Sequence, residues 1–227
     1  MSAARGLRDH ALSTAFLVLF AVAIVAQSFI GHADWNSTLD ELGRAPMSWL
    51  AYATSSHFVV DVAENWQSEF LQFFLFIAAT VWLVERGSPE SKKPGDEGLG
   101  SDREQLVGAH ARPDSPAWAR AGGWRRRIYS NSLLLVMGGA FALSWLAQAL
   151  AGRIAANAEA ALTGGAPMTL GEYLASPDFW SRSVQNWQSE LLAIGAMAVL
   201  SIYLRQRGSS ESKPVGMPHG VTSVESD

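Results

Sequence analysis

The sequence predicts an all-α integral membrane protein: four transmembrane helices, arranged as two parallel tandem two-helix repeats with short outer amphipathic helices. Three observations carry this expectation. The apolar residues gather into four blocks separated by polar segments, residues 11–31, 70–84, 132–151 and 191–204. The stretch Asn65-Trp66-Gln67-Ser68-Glu69 returns unchanged as Asn186-Trp187-Gln188-Ser189-Glu190. Laying residues 11–95 on 132–216 without a gap pairs roughly 28 identical residues in 85, which marks a duplicated unit.

The first and third blocks carry no charge and approach the ~20 residues that a helix needs to cross the hydrocarbon layer. The second and fourth are shorter, so a full crossing recruits the Asn-Trp-Gln-Ser-Glu residues before them. Arg5 and Arg8 ahead of an apolar run also fit a cleaved leader. The repeat argues for retention, because Ala21, Ala26, Gln27 and Gly31 match Ala142, Ala147, Gln148 and Gly152 of a block in mid-chain. The segment His32–Glu64 reads as polar, with a turn at Gly43-Arg44-Ala45-Pro46-Met47, and its counterpart is Gly164-Gly165-Ala166-Pro167-Met168. Between Pro46 and Ser55 a short amphipathic helix is expected, with Trp49 and Tyr52 at a membrane interface. Ser176-Pro177-Asp178 is a helix start, with serine as cap and proline in the first turn, and that helix can run into the fourth span.

These elements divide the chain into a cytoplasmic N-terminus (1–10), a first two-helix repeat (11–86), a flexible cytoplasmic linker (87–127), a second repeat (128–207) and a disordered cytoplasmic tail (208–227). Lys and Arg set the orientation, because they are retained on the cytoplasmic side. Fourteen of the seventeen lie before the first block, from Arg86 to Arg127 or after Leu204, and only Arg44, Arg153 and Arg182 lie in the two intervening segments. Both termini are therefore expected inside the cell, in an inner-membrane, multi-pass protein whose repeats point the same way.

Asn65, Glu69 and Gln72 follow helical spacing and share one face, with Gln67 and Ser68 in the same stretch. The second copy keeps Asn186, Gln188, Ser189 and Glu190 but has Ala193 in place of Gln72. Gln27 and Gln148, near the outer ends of the preceding spans, are expected to meet that face. A carboxylate at mid-bilayer costs about 2.5–3.5 kcal/mol and less near an interface. Two readings follow. Glu69 and Glu190 bind a proton or cation in an outer vestibule, or they belong to a polar network that locks helices together. The locking network is preferred, since such networks are common in membranes.

The other features weigh less. Trp66 and Trp187 read as interfacial anchors, and Gly138, Gly139, Ala142, Ala147 and Ala151 as small residues allowing close helix contact. His10, His32, His57, His110 and His219 have no repeated partners, so no metal site is assigned. Arg86-Gly87-Ser88 and Arg207-Gly208-Ser209 read as helix stops. Each is followed by Glu-Ser-Lys, which could also dock a cytoplasmic partner. The chain lacks cysteine, which excludes disulfides and thiolate chemistry, and with a net charge of -4 and no basic stripe nucleic acid is set aside. No nucleophile, base and orienter set is visible, so neither an enzyme nor a cofactor is expected.

Asn-Trp-Gln-Ser-Glu-Phe-x-Gln at 65–72, with Arg-Gly-Ser-Pro-Glu-Ser-Lys at 86–92, resembles an uncharacterised family of small bacterial multi-pass membrane proteins. The resemblance covers both repeats and implies a membrane location without an activity, substrate or cofactor. The second copy departs from the pattern at Leu191, Ala193 and Ser210. Paired helices around an outer loop also suggest tandem-pore potassium channels, but neither outer segment holds a Thr-Val-Gly-Tyr-Gly filter. The expectation is a structural or regulatory membrane component, in contact with lipid and with a homo-oligomer or membrane-protein partner. The alternative is a small proton- or cation-linked channel or transporter.

Overall fold

The computed structural model describes residues 8–222, and among them every regular element is helical. In chain order these are α1 (Ala11–Glu41), α2 (Trp49–Ala53), α3 (Ser56–Trp82), a 3-10 turn (Gly108–His110), α4 (Ala117–Arg120), α5 (Gly123–Ser130), α6 (Ser132–Thr163), α7 (Leu170–Leu174) and α8 (Pro177–Tyr203). From Ala11 to Ser132, from Trp49 to Leu170 and from Ser56 to Pro177 the interval is 121 residues each time.

Helices α1 and α6 are long and apolar enough to cross a membrane. Their most apolar windows have mean hydropathies of 2.2 and 1.8, with 6% and 11% of those windows buried. A core helix of that composition would be covered by its own chain, and these two are not. The same measure passes over α3 and α8, whose first halves hold Asn-Trp-Gln-Ser-Glu and other polar groups. It therefore singles out two helices where the block pattern predicts four spans.

Both α1 and α6 outrun their apolar blocks. They continue past Gly31 to Glu41 and past Ala151 to Thr163, where the sequence reads as loop. The extra turns bring an asparagine over the chain that follows. The described chain divides by contact into two compact units, residues 8–62 with 147–175 and residues 63–146 with 176–222. This division differs from the division by repeats, because each unit takes segments from both.

In the first unit the turns that follow α1 and α6 are built alike. The Asn36 carboxamide donates to Met47 O (3.0 Å) and accepts from Met47 N (2.8 Å). Asn157 does the same to Met168, at 2.9 and 2.7 Å. One side chain supplies the paired donor and acceptor that a neighbouring backbone would supply, so the turn is closed without a strand. The short helix after each turn is capped, by Ser48 accepting from Ala51 N and by Thr169 accepting from Glu172 N, both at 3.3 Å. Only the second cap is a capping box, with the Glu172 carboxylate returning to Thr169 N at 2.7 Å. Tyr52 and Tyr173 then lay their hydroxyls over Gly31 and Gly152, where a Cβ would overlap them. Tyr52 is therefore a buried packing residue. Trp49 remains half exposed, stacks on Phe29 at 5.0 Å and donates to Ser28 Oγ at 3.1 Å.

In the second unit α8 starts as Ser176-Pro177 predicts, the serine accepting from Phe179 N at 3.3 Å. The ends of α3 and α8 differ from expectation. Both helices stop at Trp82 and Tyr203, with no basic residue in the last turn. Gly87 and Gly208 do take positive φ, 93° and 84°, but in a separate turn four or more residues later. That turn is held by side chains, since Ser91 and Ser212 accept from the backbone of Glu85 and Gln206 at 2.7 and 2.9 Å. Among the described residues, the linker and the segment up to Thr222 also hold side-chain contacts. Arg126 pairs with Asp102 at 3.2 Å, and buried groups continue to Lys213 and Thr222.

Candidate functional site

Both copies of Asn-Trp-Gln-Ser-Glu lie in the second unit, on α3 and α8, and they meet. Trp187 Nε1 donates to Gln67 Oε1 at 2.7 Å, so the indole of the second copy is held by the carboxamide of the first. Gln67 has no exposed surface and also donates to Glu64 O at 3.1 Å. Its counterpart Gln188 is exposed. Ser68 and Ser189 play one role in both copies, bonding back to Asn65 O (2.9 Å) and Asn186 O (2.8 Å). Asn186 itself donates to Arg182 O at 2.9 Å. Asn65 is exposed, as is Glu69, while Glu190 is half-buried and lies within reach of the Glu69 charge.

One turn further out is an ion network that the repeat does not reveal. Arg182 bridges Glu64 on α3 at 3.1 Å and Asp178 on its own helix at 3.2 Å. The aligned partners of Arg182 and Glu64 are Asp61 and Gln185, so neither charge sits in an identical pair. The clue in the sequence is this exchange of charge, and identity-based matching discards it. Trp187 also joins an aromatic cluster with Trp145, Phe179 and Trp180, ring centroids 5.4–6.4 Å apart. Within it Trp145 Nε1 donates to Ser183 Oγ at 3.3 Å. Trp187 is thus a packing residue in this cluster, whereas Trp66 is exposed.

The far ends of α3 and α8 bring the two Arg-Gly-Ser turns together with the C-terminal segment. Lys213 is buried, and its ammonium donates to the carbonyls of Gly87, His219 and Val221, the last two at 2.9 and 3.0 Å. Thr222 Oγ1 accepts from Gly87 N at 3.0 Å. A Cβ at Gly87 would overlap the His219 carbonyl, while the space around Gly208 is open. Glu90 and Glu211, the glutamates of the two Glu-Ser-Lys stretches, line one cavity of about 210 Å³ with Gln72, Phe73, Phe76, Ala193, Ile194 and Met197. Burial, and then the neighbouring Glu211 carboxyl, holds the Glu90 carboxyl above its ordinary range.

The remaining candidate residues fall in the first unit. Gln27 is half-buried and Gln148 fully buried there. In that unit the His57 ring stacks on Trp35 at 3.8 Å and approaches Glu159 at 3.6 Å, and His32 lies 2.8 Å from Met47 O. Of the sequence-selected set, the structure gathers the two motif copies on α3 and α8 and adds Glu64, Arg182 and Trp145.

Compared with protein-family models, the chain matches one described as "Domain of unknown function (DUF6766)" over residues 3–224. Comparison with curated proteins and with solved structures found no match.

Proposed function

The chain belongs to the family described as Domain of unknown function (DUF6766), and from that premise we propose a non-enzymatic, structural or regulatory component of the inner membrane that crosses the bilayer four times. In this reading two copies of a helical hairpin stand head to tail and point the same way, and the Asn-Trp-Gln-Ser-Glu stretches lock one copy to the other. The observation that carries it is the Trp187–Gln67 hydrogen bond, made between the two copies by a carboxamide with no exposed surface. Exposed Leu, Phe, Val and Ile side chains along α1 and α6 suit a lipid solvent. The excess of Lys and Arg in the termini and linker supports a cytoplasmic location for those segments.

The chain has no cysteine, so single introduced cysteines report topology directly. In intact cells Gly43→Cys and Gly164→Cys should react with an impermeant maleimide, and Gly100→Cys should react only after lysis. The reverse pattern sinks the orientation. A cation- or proton-linked channel is the second reading, favoured by the proximity of Glu69 and Glu190. If Glu69→Gln with Glu190→Gln abolishes a flux into liposomes while the helical signal and melting midpoint hold, transport replaces locking as the function.

A further inference from the structure

The outer glutamates drew attention as a repeated pair, yet a second repeated pair closes the other end of the same two helices. Glu90 and Glu211 occupy equivalent places in the two Glu-Ser-Lys stretches and line a common cavity. The walls of that cavity come from α3 (Gln72, Phe73, Phe76) and from α8 (Ala193, Ile194, Met197). Its lining is therefore two carboxyl groups, one carboxamide and an apolar surface with two aromatic rings.

That combination selects among cations. Ca²⁺ takes six to eight oxygen ligands and Mg²⁺ a near-octahedral set, and two carboxylates with one carboxamide fall short of either. A hydrated alkali ion gains nothing from Phe and Met. An organic ammonium is weakly hydrated, is attracted to aromatic faces and carries alkyl groups for the apolar wall. We propose that the α3–α8 cavity binds one small organic ammonium ion, its charge beside the Glu90 and Glu211 carboxyls and its alkyl groups against Phe73, Phe76, Ile194 and Met197. The site does not depend on the helix-locking reading, and it holds whether or not Glu69 and Glu190 conduct.

The same chemistry exists in a free ammonium solute and in a choline headgroup, and the test separates them. Full-length protein in a neutral detergent is dialysed against labelled tetraethylammonium at fixed ionic strength. Saturable binding near one ion per chain is expected, weakened about tenfold or more, the loss of one favourable ionic contact, by Glu90→Gln with Glu211→Gln. Ala193→Phe fills the cavity without touching either carboxyl and should also abolish binding. Asp114→Asn with Glu41→Gln removes two exposed carboxylates elsewhere and should leave binding intact. Competition by a short-chain phosphatidylcholine and not by the matching phosphatidylglycerol identifies the headgroup as the source, and competition by neither identifies a free solute. Unsaturable uptake overturns the proposal, as does equal binding by the double Glu variant or by Ala193→Phe with unchanged helical content.

Discussion

The turns that follow α1 and α6 and the two Asn-Trp-Gln-Ser-Glu stretches treat likeness of sequence in opposite ways. The turns differ in many residues, Arg44 against Gly165 and Trp49 against Leu170, yet Asn36 and Asn157 grip their methionines with the same two bonds. The motif copies agree in all five letters, yet Gln67 is buried under Trp187 and Gln188 is exposed. A turn closed by its own side chain depends only on local spacing and survives drift around it. A contact made across the two copies need not be made twice, and here identical letters end in unlike surroundings.

Mutations should sharpen this contrast. The largest effect is expected at the Arg-Gly-Ser turns. Gly87→Ala meets both a positive φ and the His219 carbonyl, and should cost about 2–4 kcal/mol in a denaturation assay. Gly208→Ala meets only the positive φ, at about 1–2 kcal/mol. Equal costs would mean that the C-terminal segment does not rest on the first turn. Next, Gln67→Ala strands a partly buried indole N–H and should lose about 1–3 kcal/mol, whereas Gln188→Ala should stay within about 0.5 kcal/mol. Asn36→Ala and Asn157→Ala should instead lose similar amounts, about 1–3 kcal/mol each. A large difference between those two would break the likeness of the two turns.

The smallest effect is a pH dependence confined to the turn that follows α6. Hydrogen bonds from the Thr169 backbone and hydroxyl hold the Glu172 carboxyl below its ordinary range. A depressed carboxyl stabilises the fold above its unfolded value, and that contribution is lost as pH falls through the folded one. The gap in melting midpoint between wild type and Glu172→Ala should therefore narrow on acidification below the ordinary carboxylate range. Ser48→Ala, in the turn without a carboxylate, should show a pH-independent gap.

Much of this architecture can be read in the residues. Ser176-Pro177 marks the start of α8, Ala45-Pro46-Met47 marks a turn, and the helical class follows from the apolar blocks. The lengths of α1 and α6 cannot be read so easily, because Asp34, Asn36 and Thr38 look like loop residues until the bonds from Asn36 to Met47 are seen. The site was half legible. Identity drew attention to Gln67, Trp187 and the outer glutamates, whereas Glu64 and Arg182 interact through residues that the copies do not share. Glu90 and Glu211 lie in the Glu-Ser-Lys stretches that follow the Arg-Gly-Ser turns, and their meeting at one cavity is visible only in the structure.

The clasp of Lys213 on Gly87 also orders events in time. Its partners are 126 residues apart, so the first turn leaves the ribosome and must remain uncapped while the residues up to Lys213 are still being made. Closure of that turn can therefore serve as a checkpoint, reached only when the C-terminal segment has been made and seated.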